Sequence, residues 1–180
     1  MGYVARRFCV PELAAFRYSD RVMAELSDVR DGLALGQIGP LCIALWRQEA
    51  TRPRFDRQAA ALAAVVAGHR GTAGFMCIVE PESKPPSNEL RRASARMIEA
   101  HGSDLAFVAA VIEGSGFHAA ITRSVLTAMS RFLPRNMTKV GFFSSAMDAA
   151  LWGGELAPLP PAQAIVARVQ SLRAGLSRGW

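Results

Sequence analysis

The chain is nearly without lysine. Lys84 and Lys139 are the only two in 180 residues, and arginine supplies the remaining positive charge. Cysteine is scarce as well. Cys9, Cys42 and Cys77 are odd in number and widely spaced, which excludes a disulfide framework. Cys42 and Cys77 sit inside apolar runs and read as buried free thiols of a reducing compartment. No closely spaced Cys or His ligands occur, so neither a metal nor a cofactor is expected. No apolar run approaches the roughly 20 residues that span a bilayer, so no membrane span is expected. Arg6 and Arg7 are not followed by an apolar stretch, so the N-terminus does not read as a secretory signal. The expected location is the cytoplasm. There is no internal repeat and no low-complexity tail.

What is present is the composition of a globular domain: 51% hydrophobic and 20% charged residues. The formal charge is +6, unevenly placed. After Gly114, seven basic residues (Arg123, Arg131, Arg135, Lys139, Arg168, Arg173, Arg178) face two acids (Asp148, Glu155), a net of +5. Such asymmetry favours an acidic partner. The preference for arginine and alanine, however, is that of a GC-rich bacterial genome, so nucleic-acid binding is not expected.

Residues 1–30 show poor periodicity and read as an appendage. From Asp31 onward, Gly32–Ile38 and Leu41–Gln48 are short apolar runs around Gly39-Pro40, two strands joined by a tight turn. Phe55–Gly68 reads as an alanine-rich helix. The continuous apolar run Thr72–Val79 predicts a central strand covered on both faces. After two prolines, Ser87 predicts the N-cap of a helix whose apolar face carries Leu90, Ala93, Met97 and Ile98. Leu105–Ile112 predicts a second buried strand, Phe117–Leu133 an amphipathic helix, and Lys139–Phe143 a short strand. Ser145 predicts the cap of a helix containing Met147, Leu151 and Trp152. A Pro158–Pro161 linker then leads to an amphipathic helix over Ala162–Leu176, with Ile165, Val169, Leu172 and Leu176 on one face. The expectation is an α/β fold: a mixed, mostly parallel sheet of four or five strands flanked by helices. The domain spans 31–156, followed by the linker and terminal helix over 157–180.

This order, with the stretch Phe75-Met-Cys-Ile-Val-Glu-Pro, then Pro85-Pro86-Ser87 and a helix, resembles the STAS domain (the sulfate-transporter and anti-sigma-factor-antagonist fold). It is similar also to the lipid-binding variants grouped with that family. The resemblance covers roughly 31–155. It implies a regulatory module that binds a protein partner. It further implies that Ser87, at the start of the helix after the central strand, is the position of a phosphorylated switch. The local sequence is Pro-Pro-Ser-Asn, where the family's antagonists carry Asp-Ser-Ser-Gly.

Other residues suggest chemistry on their own terms. Gly114-Ser115-Gly116, between a strand and a helix, is a loop whose backbone N–H groups would suit an anion. Glu113 and His118 flank it near the carboxyl edge of the sheet, where ligands of open α/β sheets bind. Glu113, Ser115 and His118 therefore make a candidate hydrolase-like trio. Arg91, Arg92 and Arg96 form a candidate basic contact. Three functions stay open: a non-enzymatic interaction module, a small-molecule or lipid binder with a cleft near Gly114–His118, and an enzyme built on the trio. The terminal amphipathic helix also leaves a homodimer open.

Overall fold

Asp31-Gly32 opens the described fold with a tight reversal. The computed structural model describes residues 27–84, 86–114 and 139–178. Asp31 and Gly32 both take positive φ, 52° and 69°. That is the signature of a two-residue hairpin turn, and Asp-Gly is among its preferred sequences. It joins β1 (Ser27–Arg30) to β2 (Leu33–Ile38) in antiparallel pairing. Gly39-Pro40 then turns β2 into β3 (Leu41–Trp46), again antiparallel. From β3 onward the sheet is parallel: β4 (Ala73–Val79), β5 (Leu105–Ile112) and β6 (Lys139–Phe143) follow in sequential order.

Among the described residues the sheet thus has six strands, one more than expected. The additional strand is β1, whose residues Ser-Asp-Val-Arg carry too little apolar signal to be read as a strand by pattern. Ser27–Arg30 consequently belongs to the sheet rather than to an appendage ending at residue 30. Residues 1–26 and the expected helix over 117–133 lie outside the described residues.

Helices cover both faces. α1 (Arg52–Gly68) and α2 (Asn88–His101) pack on one face, over Leu33, Leu35, Cys42, Ala44 and Phe75. α3 (Ala146–Gly154) and α4 (Ala162–Arg178) pack on the other, over Ala34, Ile43, Leu45, Met76 and Ile78. Strand alternation sorts these residues: Cys42, Ala44 and Trp46 face α1 and α2, while Leu41, Ile43 and Leu45 face α3 and α4. Because both faces are covered, β3 is buried throughout, as its unbroken apolar sequence requires.

The helix ends follow local chemistry. Ser87 caps α2, its hydroxyl accepting from the Leu90 N–H at 3.3 Å. Ser145 caps α3, accepting from the Asp148 N–H at 3.1 Å. Ile165, Val169, Leu172 and Leu176 of α4 are all buried, as their spacing predicts. Phe107 of β5 is fully buried in a slot left by two glycines. A Cβ on Gly74 or Gly153 would come within 2.4 or 2.6 Å of its ring. The same ring meets Trp152 edge-on, with centroids 5.5 Å apart.

Candidate functional site

Each of three adjacent parallel strands ends in a charged residue. Trp46 is followed by Arg47, Val79 by Glu80 and Ile112 by Glu113. Parallel pairing puts these three side by side at the carboxyl edge of the sheet. The ladder extends one step further there, through Glu80 N–H to Trp46 O at 2.9 Å and Glu113 N–H to Val79 O at 3.0 Å. α4 crosses this edge and lowers Arg173 between the two carboxylates.

The resulting network is continuous. Arg47 Nε donates to Glu80 Oε2 at 2.6 Å, and its Nη2 to Oε1 at 3.3 Å. Arg173 Nε donates to Glu80 Oε1 at 2.7 Å. Arg173 Nη2 reaches both oxygens of Glu113, at 2.9 and 2.8 Å. Arg47 Nη1 also donates to Ser177 of α4 at 3.0 Å. Two guanidinium groups and two carboxylates leave no net charge. Glu80 is buried, at 4% exposure. Burial by itself would raise its carboxyl. The hydrogen bonds from Arg47 and Arg173, and their positive charge, outweigh that and hold it below its ordinary 4.5. A carboxylate held ionised in this way is unsuited to passing protons near neutral pH.

Of the sequence-predicted site, Glu113 is at the edge and is engaged by Arg173. Gly114 follows it, exposed, with φ of 103°. Ser115, Gly116 and His118, the rest of the trio and of the anion loop, lie outside the described residues. A cleft of about 350 Å³ opens beside Glu113, lined also by Ser144, Ser145, Met147, Gln170 and Arg173.

Ser87 is exposed at the start of α2. The loop delivering it is anchored at its root: Ser83 N–H donates to Glu80 O at 3.0 Å, and Ser83 Oγ to Gln48 O at 3.0 Å. Arg92 and Arg96 are exposed on α2 and Arg91 is half-buried, but Glu89 and Glu99 are exposed on the same helix. The α2 surface is therefore of mixed charge rather than basic.

Cys42 is buried and Cys77 half-buried, and both are free thiols. Burial pushes each up to about 12, with Cys77 adding to the rise at Cys42 and a hydrogen bond from Trp46 opposing it at Cys77. Neither is a thiolate at neutral pH, so neither is poised as a nucleophile. His69 closes α1, and His101 is the last residue of α2. No group of three or more His, Cys, Asp or Glu residues is placed to hold a metal ion among the described residues. Nor is any helix among them long and apolar enough to cross a membrane.

Sequence reasoning passed over Arg47, Glu80 and Arg173. The signal was available in the charge that directly follows the apolar run of β3, β4 and β5 alike. Arg173 lay on the expected polar side of a helix, and only packing brings it to that edge. No family model matches the chain, and neither a curated protein nor a solved structure matches it.

Proposed function

We propose that the chain is a non-enzymatic regulatory module of STAS-like type that binds a protein partner through the β4–α2 loop and the outer face of α2. The observation that carries this reading is the anchored loop. Glu80 at its root is clamped by two arginines, and Ser83 is tied back to Gln48. Beyond these anchors, Glu82, Lys84 and Ser87 stand exposed. A surface loop held on a rigid scaffold loses little entropy on binding, and such loops commonly carry recognition. A phosphate on Ser87 would sit at a helix N-terminus, where negative charge is favoured, and it would change the surface a partner meets.

Photo-cross-linking in native lysate tests it. A photoreactive side chain at Glu82 is expected to capture a discrete protein that one at Gln163 of α4 does not. Ser87→Glu is expected to abolish that capture while the protein stays folded. Capture that is identical from both positions, or that is unchanged by Ser87→Glu, rejects the reading.

A second reading is a small-molecule binder. The cleft beside Glu113 favours it, because it lies outside the carboxyl ends of β5 and β6, where open α/β sheets bind ligands.

A further inference from the structure

The cleft of about 350 Å³ beside Glu113 lies between the first turn of α3 and the middle of α4. Its polar lining is Glu113, Ser144, Ser145, Gln170 and Arg173. Its apolar lining is Ala146 and Met147 of α3 with Val166 and Val169 of α4. Met147 and Val166 are half-buried and offer apolar surface to the cleft, whereas Val169 is closed off at 1% exposure.

Two of the five polar groups are spent. Ser145 Oγ donates to Asp148 Oδ2 at 2.7 Å and accepts the Asp148 N–H. Arg173 is divided among Glu80, Glu113 and Gln170. The other three keep unused capacity. Gln170 Oε1 accepts from Arg173 Nη1 at 3.3 Å. A guanidinium only donates, so this bond fixes the oxygen end of the amide. The two N–H donors at its other end have no partner among the described residues. The exposed Ser144 hydroxyl has none there either. Glu113 accepts only from Arg173 Nη2, once at each oxygen, and a carboxylate has about four acceptor positions. Its side chain is 25% exposed, so positions remain open to a donor in the cleft.

We propose that this cleft binds a neutral cyclic polyol, a monosaccharide or a cyclitol, with its hydroxyls on Glu113, Ser144 and Gln170 and its C–H face on Met147 and Val166. A hydroxyl both donates and accepts, which is what a carboxylate, a serine and an amide N–H₂ together ask of one ligand. Charge of either sign is selected against. The one cation of the lining, Arg173, is already held by Glu80 and Glu113, and Asp148 stands exposed beside Ser145, so an anion finds no free partner. An ammonium would meet a Glu113 whose charge Arg173 already matches. Size agrees as well. A bare six-membered ring fills a cavity of roughly 150 Å³, so about 350 Å³ takes one ring with its hydroxyls. The assignment rests on the small-molecule reading above and gives it a ligand class.

Four probes are titrated into the full chain at mildly acidic pH: methyl β-glucopyranoside and myo-inositol (neutral), glucuronate (anionic) and glucosamine (cationic). Two-dimensional NMR follows the Gln170 side-chain amide and the Met147 methyl. A neutral polyol is expected to shift both signals saturably, with millimolar affinity, and each charged sugar to bind about fivefold weaker or worse. Gln170→Ala, an exposed change to a better helix former, should keep the fold and weaken the neutral polyol about fivefold, read at the Met147 methyl. Gln163→Ala, on the same helix but outside the cleft, should leave it unchanged. The proposal is overturned by no saturable shift from either neutral polyol, or by an affinity that Gln170→Ala leaves intact or that Gln163→Ala lowers equally. A charged sugar binding as tightly overturns the polyol and leaves the small-molecule reading standing. In the free protein a soluble neutral paramagnetic agent should broaden the Met147 methyl. A methyl out of its reach would mean a closed cleft, and both the polyol and the small-molecule reading would fall.

Discussion

Glu80 shows how one side chain ties distant parts of the chain together. It is buried between Arg47, at the end of β3, and Arg173, on the last helix. Burying a charge is costly unless it is paired, and removing one partner of a buried pair leaves the others uncompensated. Glu80→Gln should therefore destabilise the fold by about 3 kcal/mol, measured by urea denaturation at neutral pH. The pH dependence has a defined sign. The carboxyl is lower in the folded state than its ordinary 4.5, so its contribution is complete above that value. It is lost as pH falls from the ordinary carboxylate range toward the depressed folded value, and that interval is the window to titrate. Denaturation midpoints of the wild type should fall through this window, and those of Glu80→Gln should fall less. Parallel curves would show that Glu80 is not the titrating group.

Among the elements, α4 depends most on its docking. Its apolar stripe was legible from spacing alone, and Ile165, Val169, Leu172 and Leu176 are all buried. The surface receiving it was not legible. α4 lies close over β2 because Gly36 has no side chain: a Cβ there would stand 2.7 Å from Leu172. Leu172 is 1% exposed. Leu172→Ala should cost about 2–5 kcal/mol through lost burial and the cavity left behind, read from the shift in urea midpoint. Trypsin cleavage within α4, at Arg168 and Arg173, should also quicken relative to wild type. A loss below about 1 kcal/mol would mean that α4 relaxes into the space or contributes little. β1 is the opposite case. Its sequence carries almost no strand pattern, yet Asp31-Gly32 is a strong hairpin signal, and from that turn a strand on each side follows.

For the molecule as a whole, two layers of helices on one sheet set the order of stability. β3 and β4 are covered on both faces and paired on both edges, whereas among the described residues β1 pairs only with β2. Native-state hydrogen exchange should find its slowest amides in β3, β4 and β5, opening at a free energy close to that of global unfolding. β1 should exchange faster by local opening. Uniform protection across β1 to β5 would show instead that the sheet opens only as one unit.

Sequence alone determined the alternation of strands and helices, because each strand or helix carries its own period of apolar residues. It determined the parallel core from the unbroken apolar runs of β4 and β5, and the caps of α2 and α3 from single serines at helix entries. It also placed Glu113 at the carboxyl edge of the sheet. Only the tertiary structure decided what Glu113 meets there. Arg47, Glu80, Glu113 and Arg173 are spread over 127 positions of the chain, and no local pattern relates them. Their meeting depends on strand order and on the path of α4 across the sheet. The same is true of Gln58, a glutamine on a helix flank that is buried against the Trp46 indole only after α1 and α2 close over β3 and β4. Periodicity is encoded locally and can be read locally. Charge pairing and cavity shape belong to surfaces that exist only once those local pieces have packed.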